Sequence, residues 1–505
     1  MKLTKLLDSY SHIISTCANS DIEISRIQDD SRKVQKGDLF IAIKGLTFDA
    51  HDFIPQTIKD GAVAIVGEKD PKDLNLGNIP YVQVENSRRA LSFFASIWFN
   101  NPSEKLKAIG ITGTEGKTTT SNILYHILTT SNKKTGLVST INAKIDGQSF
   151  DTGLHVTNPE PLQLQELLSK MVDNKCEYAI LETTSIGIDQ ERVTGVKYLM
   201  GVLTNITQDH LDYHKTIENY KESKAKLFER VKIAVLNKDD SSFEFIKSHL
   251  IPNCKLITYG ITNQANCAAQ QIKMNVEGTK FILKAQNESK EIATSLLGEY
   301  NVYNILAAIA ASCELGVSLD DIKKAIATFQ TPEGRLEKVE GGQDFTCFVD
   351  FAHTAKSVES VLNLLREIIP KGNKLIAVYG SAGGRDATKR PAMGKAGGEF
   401  ADITIFTADD PRDEDVLEII KSMEEGARIG GATKVESMEN SNGHFYIVEP
   451  DREKAIKLAV KTAQKGDIVA LLGKGHEKSL AVKGQEIPWS DKEKVKEAIK
   501  EVIAK

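Results

Sequence analysis

The sequence predicts an α/β protein of three domains, two of them built on largely parallel sheets. Short apolar runs typical of β-strands alternate with helical patterns along the chain. Two breaks, Asn-Pro-Ser at 101–103 and Thr-Pro-Glu-Gly at 331–334, divide the 505 residues into three parts. A chain of this length accommodates about two to four domains of ordinary size. We therefore expect domains at 1–103, 104–333 and 334–505.

Each part has its own strands and helices. In the first part the strand patterns are DLFIAIKG and AVAIVGE, while IQDDSRKV is a loop or a sheet edge. The middle part has the strands KAIGIT, YAILET and YLMGVLTNI, with the helical patterns TTTSNILYHIL and PLQLQELLSKMV between them. The last part has KLIAVYG, DITIFT and DIVALLG, followed by the polar segments SAGGRD, ADDPRDED and KGHEKS. Because ligands of open α/β sheets bind beyond the carboxyl ends of the strands, we expect the site there.

The composition argues against a nucleic-acid-binding protein, a disulfide-bonded protein and a membrane protein. The net charge is -5, with 64 basic and 69 acidic residues well mixed, so no basic stripe suits nucleic acid. The six cysteines include no CxxC pair, which favours reduced thiols and the cytosol over a disulfide framework. No apolar run approaches the ~20 residues of a membrane helix. We expect a mature, cytoplasmic monomer that does not insert into membranes.

A glycine-rich loop lies between a predicted strand and a predicted helix, in the segment GITGTEGKTTT at 110–120. Such a loop offers backbone N–H groups and a helix dipole to phosphate oxygens. Lys117 would neutralise the β- and γ-phosphates of a nucleotide, and the Thr118 hydroxyl would be a ligand of Mg²⁺. Ile111 stands where the strict motif has its first glycine, and Glu115 puts a carboxylate into an anion site. A plain glycine-rich turn is the alternative.

A resemblance to a known family spans the chain from about Asp30 to the C-terminal region. It rests on DSRKVQKGDLFIAIKG, GITGTEGKTTT, TNPE, LETTSIGIDQERV, LTNITQDHLDYH, YKESKAKLF, GEYNVYNILAA, VDFAHT, GRDATKRPAMG, DDPR and GKGHE. These segments resemble the Mur ligase family, and within it the MurE type, which adds the third amino acid to UDP-N-acetylmuramoyl-dipeptide in peptidoglycan precursor synthesis. The resemblance implies an N-terminal domain for the UDP moiety, a central phosphate-loop ATPase domain and a Rossmann-like C-terminal domain that closes over the site.

The resemblance also implies the chemistry. The dipeptide carboxylate attacks the γ-phosphoryl group of ATP, and the amine of a diamino acid then attacks the acyl phosphate. The implied catalytic residues are Lys117, Glu182, His210 and Lys224. The implied Mg²⁺ ligands are Thr118, Glu182, His210 and Lys224, the last as a carbamate (N6-carboxylysine). Considered alone, Lys224 is a solvated lysine on a helix, and QDHLDYH suggests zinc only weakly. The family usually has His where this chain has Ile186.

The binding residues are likewise implied by the resemblance. For the nucleotide they are Gly113, Thr114, Gly116, Lys117, Thr118, Thr119, Asn301, Asn304, Arg335, Asp350 and His353. Ser31 would contact the uridine, and the muramoyl-peptide path would be lined by Thr157, Asn158, Ser185, Gln190 and Arg192. For Ser31 and Gln190 an ordinary surface position is the alternative, and for Asn301 a helix N-cap.

The amine donor would contact the strand ends of the last domain, through Arg385, Asp409, Asp410, Arg412, Gly473 and Glu477. Family members that add meso-diaminopimelate carry DNPR, whose Arg binds the distal carboxylate, so Arg412 favours diaminopimelate. Asp410 replaces the usual Asn and could shift the preference toward L-lysine. An exposed ion pair with Asp413 or Glu414 is the alternative for Arg412. A sister ligase, such as a folylpolyglutamate synthetase, or an ATP-binding switch without ligase activity are the alternative functions.

Overall fold

The structure, a computed structural model, forms two compact units. It describes residues 1–8, 10–16, 22–45, 48–152, 157–437 and 443–503, with the side chain of Asp212 left out. The first unit comprises Met1–Gln270, Leu283–Lys290 and Val302–Ile326. The second unit comprises Gln271–Ile282, Glu291–Asn301 and Ala327–Lys505.

A five-stranded sheet opens the first unit, in the order β1-β5-β4-β3-β2. Its strands are β1 (Ile13–Thr16), β2 (Arg26–Gln28), β3 (Asp38–Ile41), β4 (Ala64–Gly67) and β5 (Tyr81–Val84), and its helices are α1 (Leu3–Leu7), α2 (Ile54–Lys59) and α3 (Ser87–Trp98). β2 to β5 pair in parallel and β1 pairs antiparallel with β5. All residues of β3 and β4 are buried, as expected for strands covered on both faces.

The strands of the central sheet that lie wholly in the first unit have the order β13-β12-β11-β6-β10-β7-β8-β9. These strands are β6 (Lys107–Thr112), β7 (Thr135–Val138), β8 (Ala143–Ile145), β9 (Gln148–Phe150), β10 (Tyr178–Glu182), β11 (Tyr198–Leu203), β12 (Ile233–Asn237) and β13 (Lys255–Gly260). From β13 to β7 neighbouring strands are parallel, whereas β7, β8 and β9 are antiparallel. β6 therefore places its carboxyl end beside those of β10 and β11.

Helices α4 to α9 belong to the first unit. They are α4 (Lys117–Thr130), α5 (Pro161–Asp173), α6 (Ser185–Asp189), α7 (Leu211–His214), α8 (Ile217–Phe228) and α9 (Phe243–Ser248). The strands β14 (Cys267–Asn275), β15 (Gly278–Ala285) and β16 (Glu288–Thr294) and the helices α10 (Glu299–Glu314) and α11 (Leu319–Thr328) carry residues of both units. Three elements converge on the loop between β6 and α4: the ends of β10 and β11, and the helix α8.

The second unit is built on a seven-stranded sheet in the order β17-β18-β23-β19-β20-β22-β21. Its strands are β17 (Glu337–Lys338), β18 (Thr346–Asp350), β19 (Leu375–Tyr379), β20 (Ile403–Phe406), β21 (Thr433–Lys434), β22 (Phe445–Val448) and β23 (Ile468–Leu472), with a hairpin of β24 (Ser479–Val482) and β25 (Gln485–Pro488). The helices are α12 (Ala355–Ile368), α13 (Arg390–Phe400), α14 (Val416–Ile429), α15 (Arg452–Thr462) and α16 (Asp491–Ile503). Only β17 pairs antiparallel in the seven-stranded sheet.

The predicted fold class is confirmed, because the sheets are mixed α/β and rich in parallel pairs. The predicted strands correspond to β3, β4, β6, β10, β11, β19, β20 and β23. The segment IQDDSRKV begins with the last two residues of β2, which is an edge strand as expected, and continues as a loop and a short 3₁₀ helix. The antiparallel strands β8 and β9 were not predicted. The domain boundaries at 103 and 333 stay predictions.

The cysteines and the helices bear on two further expectations. Cys176, Cys254, Cys267, Cys313 and Cys347 are free thiols, and burial raises the pKa of each. Cys17 lies outside the described residues. None of the described helices combines the length and the apolarity needed to cross a membrane.

Candidate functional site

The loop between β6 and α4 is shaped by two glycines. Gly113 has φ +151°, and a Cβ there would overlap the Thr204 hydroxyl at the end of β11. Gly116 has φ +81°, and a Cβ there would overlap the carboxamide oxygen of Asn304. Both positions combine a positive φ with a close approach, which only glycine allows without strain. The loop therefore packs directly against β11 on one side and α10 on the other.

Lys117 folds back over this loop. Its ammonium donates to the carbonyl oxygens of Gly113 (3.0 Å) and Thr114 (2.7 Å). The Thr114 hydroxyl donates to the carbonyl of Thr207 (3.1 Å) and lies 3.1 Å from the Tyr220 hydroxyl. Thr119, in the first turn of α4, is buried. The loop is thus fixed by its own hydrogen bonds and by Tyr220 of α8. In this conformation the Lys117 ammonium lies at the N-terminus of α4.

Glu115 does not point its carboxylate into a closed anion site. Its side chain is exposed, while its backbone N–H donates to the Asn205 side chain (3.1 Å). Its carbonyl accepts from the hydroxyl of Thr204 (2.6 Å) and from the amide of Asn205 (3.2 Å). Position 115 is therefore fixed through the backbone, which leaves the side chain in solvent.

Glu182, at the carboxyl end of β10, presents a buried carboxylate to the start of α4. Its Oε2 accepts from the hydroxyls of Thr118 (3.2 Å) and Thr140 (2.8 Å). Its Oε1 is buried and has no hydrogen-bond partner among the residues that the structure describes. Burial raises the pKa of this carboxyl, and its hydrogen bonds and Lys117 oppose the rise. An unsatisfied carboxylate oxygen beside a threonine hydroxyl is a donor set that suits a hard cation such as Mg²⁺.

Lys224 is buried on α8, so the solvated-lysine alternative is wrong. Only 1% of the residue is exposed. Its amine donates to the carbonyl of Gly113 (2.8 Å) and lies 4.3 Å from the centre of the Tyr220 ring. Burial lowers its pKa well below the ordinary value for lysine, and the nearby charge of Lys117 lowers it further. The amine is therefore in an environment that favours its neutral, nucleophilic form.

The two histidines of QDHLDYH have different surroundings. His210 has a positive φ of 51°, and its half-exposed ring lies 3.6 Å from Asp209. It is 6.3 Å from the Tyr220 ring. His214 is buried, with its Nε2 at 3.0 Å from the Ser185 hydroxyl. The structure thus joins Ser185 to His214, whereas His210 approaches the loop only through Tyr220.

The segment TNPE ties Glu182 to the surrounding loops. The amide of Asn158 donates to the Glu182 carbonyl (2.6 Å), and its carboxamide oxygen accepts from the N–H (2.9 Å) and hydroxyl (2.7 Å) of Thr184. The Thr157 hydroxyl lies 3.1 Å from that of Thr140. Thr157 and Asn158 therefore lie beside the candidate metal ligand, and their place on the substrate path stays a prediction.

Arg192 joins the same neighbourhood. It donates through Nε to Gln190 (3.1 Å) and through one terminal nitrogen to the Asn158 carbonyl (2.8 Å). Its other terminal nitrogen forms an ion pair with Glu160 (2.9 Å). Gln190 thus has a definite structural contact. Ser31 begins a short 3₁₀ helix and is only partly exposed. The substrate roles of these residues stay predictions.

The two asparagines of NVYNILAA have different contacts. Asn304 accepts from the Thr120 hydroxyl (3.3 Å) and lies against Gly116, so it adjoins the phosphate loop. Asn301 donates to the Leu297 carbonyl (2.7 Å). Because α10 begins at Glu299, the N-cap alternative for Asn301 is wrong.

In the second unit, Arg335, Asp350 and His353 lie around Phe351. Asp350 accepts from the N–H groups of Leu336 (2.6 Å) and Ala352 (2.7 Å). The Arg335 guanidinium lies 5.1 Å from the centre of the Phe351 ring, and in the described part of the chain its buried Nε has no hydrogen-bond partner. His353 Nδ1 lies 2.9 Å from the Phe351 carbonyl. Asp350 therefore fixes the backbone beside Arg335, while the arginine keeps a donor available.

An acidic cluster at the strand ends of the second unit surrounds Lys474. This fully buried lysine binds Asp410 (2.7 Å) and Glu477 (2.6 Å). Asp409 is buried beside Gly473, and burial raises the pKa of its carboxyl. Asp410 also accepts from the Ala481 N–H (2.9 Å). Since its charge is compensated by Lys474, Asp410 is a weaker attractant for an ammonium than the sequence suggested.

Arg412 and Arg385 present guanidinium groups at the same sheet edge. Arg412 has φ +55° and its backbone pairs with the hairpin strand β24, at Ala481 and Lys483. Glu414 binds Arg390 (2.8 Å) instead of Arg412, and the structure gives Arg412 no ion pair within its described residues. The ion-pair alternative with Asp413 or Glu414 is thus wrong there. Arg385 is exposed.

Sequence reasoning missed three residues that contact the site. Thr140 binds Glu182, Tyr220 contacts Thr114 and Lys224, and Lys474 neutralises the acidic cluster. Thr140 lies in an unremarkable turn that carried no signal. Tyr220 and Lys474 stand within the segments YKESKAKLF and GKGHE, and spacing from Lys224 and Glu477 could have pointed to them.

Comparison with protein families places three matches along the chain. Residues 111–312 match the Mur ligase middle domain. Residues 334–475 match the family described as Mur ligase, glutamate ligase domain. Residues 23–98 match the family described as Mur ligase family, catalytic domain.

Curated relatives match over almost their whole length. A UDP-N-acetylmuramoyl-L-alanyl-D-glutamate--2,6-diaminopimelate ligase of Bacillus licheniformis is 38% identical, covering 99% of this chain and 100% of the relative. Proteins of the same name from Geobacillus thermodenitrificans and Clostridium botulinum are each 40% identical, covering 95% of this chain and 95% and 96% of the relative.

Solved structures of ligases resemble this chain in fold. A structure titled as a UDP-N-acetylmuramoyl-L-alanyl-D-glutamate--2,6-diaminopimelate ligase has a TM-score of 0.70 and 29% identity, covering 95% of both chains. The MurF ligase of Thermotoga maritima, solved in complex with ADP, has a TM-score of 0.62 and 21% identity, covering 96% of this chain and 99% of that one. The second likeness concerns the fold alone.

Proposed function

Because the chain belongs to the Mur ligase family, we propose that it is the ATP-dependent ligase that adds a diamino acid to UDP-N-acetylmuramoyl-L-alanyl-D-glutamate, in peptidoglycan precursor synthesis. The observation that carries the proposal is the full-length match to ligases of that name, joined to a phosphate loop with a buried carboxylate beside it. We further propose that the protein is cytoplasmic and monomeric.

Lys117 and the loop N–H groups would bind the nucleotide phosphates. The ammonium is now bound to two neutral carbonyl oxygens, and a phosphate oxygen is a stronger acceptor for it. To exchange these carbonyl oxygens for a phosphate oxygen, the Lys117 side chain would move only across its own loop. Asn304, which adjoins Gly116, would face the base, and the roles of Asn301, Arg335, Asp350 and His353 at the nucleotide stay part of the proposal.

Two of the residues present, Glu182 and Thr118, fit a Mg²⁺ ion. Glu182 Oε1 has no hydrogen-bond partner among the described residues, and the Thr118 hydroxyl lies 3.2 Å from the other oxygen of the same carboxylate. Glu182, Thr118, His210 and a carbamate on Lys224 would hold the ion. When bound, Mg²⁺ neutralises charge on the transferred phosphoryl group.

The reaction would proceed in two displacements. An oxygen of the D-glutamyl carboxylate attacks the γ-phosphorus, and the bond to the ADP oxygen breaks as the acyl phosphate forms. The neutral amine of the donor then attacks the acyl carbon and loses a proton, and inorganic phosphate departs as the amide forms. Lys117 stabilises the charge that develops on the phosphoryl oxygens.

We propose meso-diaminopimelate as the donor ahead of L-lysine. Arg412 and Arg385 offer guanidinium groups without internal carboxylate partners within the described residues, as recognition of a second carboxylate requires. Asp410, the residue that favoured lysine, is bound to Lys474. The relatives named as 2,6-diaminopimelate ligases also support diaminopimelate as the donor.

The test is a donor screen with UDP-N-acetylmuramoyl-L-alanyl-D-glutamate and ATP, in which phosphate release and product mass are measured. We expect release only when both the dipeptide substrate and an amine are present, with diaminopimelate the best donor. Release at full rate with ATP alone would indicate the switch without ligase activity. A product with folate and glutamate, but none with the muramoyl peptide, would indicate the sister ligase.

A further inference from the structure

The ion pair between Arg192 and Glu160 lies on the proposed path of the muramoyl peptide. Two of the three guanidinium nitrogens of Arg192 bind neutral oxygens, on Gln190 (3.1 Å) and Asn158 (2.8 Å). Only the third meets a charge, the Glu160 carboxylate at 2.9 Å. An arginine suited to an anionic substrate thus already has an anion of the protein bound to it.

The two partners are held very differently. The Arg192 side chain is 16% exposed, whereas that of Glu160 is 51% exposed. The backbone before Arg192 is fixed by Glu191, which accepts two hydrogen bonds from Arg89 (3.2 and 2.8 Å). Glu160 stands at the N-cap of α5, yet its side chain makes no capping hydrogen bond. The glutamate can therefore rotate into solvent while the arginine stays in place.

Other charges nearby do not hold Glu160 in place. The charge of Asp29 disfavours the Glu160 carboxylate, whereas the charge of Arg88 favours it. Partial burial raises the pKa of Glu160, Arg192 lowers it, and the like charge of Asp29 raises it again. Burial and the charge of Asp29 therefore oppose the charged form of Glu160, and within the described residues its only ion pair is with Arg192.

We infer that Glu160 competes with the substrate for Arg192. Its carboxylate binds the third guanidinium nitrogen until a carboxylate of the muramoyl peptide displaces it. The inference rests on the proposed function, and it names the residue that sets the affinity for the peptide substrate. Since Asn158 and Gln190 keep the other two nitrogens, the incoming carboxylate is expected to form a single N–H···O bond with Arg192.

The test is the variant Glu160→Gln, which keeps the shape and removes the competing charge. We expect the Kd of UDP-N-acetylmuramoyl-L-alanyl-D-glutamate, measured by calorimetry, to fall about threefold to tenfold, as loss of a partly exposed ion pair allows. The KM values for ATP and for the amine should stay unchanged. The matched control is Glu166→Gln, because Glu166 is also 51% exposed, lies on α5 and pairs with Lys170 at 2.8 Å. It should leave all three constants unchanged.

A second variant ties the effect to Arg192. In an Arg192→Met background, Glu160→Gln should no longer change the Kd, because the competition has been removed. A Kd that rises or stays constant in Glu160→Gln would overturn the inference and leave the proposed function intact if the wild-type protein still forms the amide. A wild-type protein that neither binds the UDP substrate nor forms amide would overturn both.

Discussion

Lys224 places an amine where a full positive charge is costly. Its side chain is buried, Lys117 lies nearby, and its acceptor is the neutral carbonyl of Gly113. Its pKa is lowered, so the neutral amine persists at a pH where an ordinary lysine is protonated. A neutral amine can add carbon dioxide, and the resulting carbamate would supply oxygen ligands beside the loop between β6 and α4.

We predict that depleting carbon dioxide and bicarbonate lowers ligase activity by at least about tenfold, and that adding bicarbonate restores it, because the carbamate forms only from the free amine. Activity should fall on the acidic side first, as protonation of the amine removes the reacting form. Intact mass at neutral pH should show one added carbon dioxide. Lys224→Ala should lack both the added mass and the bicarbonate response, whereas Lys221→Ala, on the same helix, should retain both.

Arg412 carries the prediction on donor choice. Arg412→Ala should reduce kcat/KM for diaminopimelate about tenfold to a hundredfold and that for lysine much less, because only diaminopimelate has a distal carboxylate. Competition assays with both amines and product mass would measure this. Arg428→Ala, at the end of α14, serves as the control for losing an arginine of the same unit. Equal losses with both donors would contradict the role of Arg412 as a carboxylate ligand.

At the scale of elements, the phosphate loop shows what a sequence can predict. A strand, a glycine-rich turn and a helix follow from local patterns, and the structure has β6, the loop and α4 in that order. The neighbours of the loop do not follow, because Thr204, Asn304 and Lys224 come from elements far along the chain. The buried state of Lys224 is a tertiary property that helical spacing cannot reveal. Likewise, β8 and β9 are short and lack a strong alternating pattern.

The close packing of this loop predicts that Gly113→Ala abolishes nucleotide binding, because a methyl group would overlap Thr204 and force the loop away from β11. The measurement is ADP binding by calorimetry, together with the free energy of unfolding. Gly147→Ala is the control: φ is also positive there (+77°), but no atom lies within 4 Å of the added Cβ. It should cost about 1 kcal/mol of stability and leave ADP binding unchanged.

At the scale of the whole molecule, the chain has two compact units with separate cores. The second unit contains a fully buried ion pair, in which Arg452 binds Asp491 through two nitrogens (2.8 and 2.6 Å). The same guanidinium donates to the carbonyls of Ala408 and Leu472, just beyond β20 and at the end of β23. Neither residue drew attention in the sequence, because nothing local distinguishes a buried arginine from an exposed one.

We expect Arg452→Met to destabilise the second unit by about 3–5 kcal/mol, since it leaves the Asp491 carboxylate buried without its cation. Scanning calorimetry should show a lower unfolding temperature for the transition of that unit. ADP should continue to bind, because its loop lies in the first unit. Lys457→Met provides the comparison, because its ion pairs with Glu453 and Glu501 are screened by solvent and should contribute little to stability. Similar losses in both variants would refute the role of burial.

The thiols of the molecule have a practical consequence for labelling. The five described cysteines all have raised pKa values, so at neutral pH little of any of them is the reactive thiolate. A cysteine introduced at an exposed position that is not among the proposed donor contacts, such as Asp413, would react with a maleimide dye far faster than these five. Once Cys17, which lies outside the described residues, is also replaced, a fluorescent reporter could be attached beside Arg412 without removing the other five thiols. Donor binding could then be followed as a change in emission.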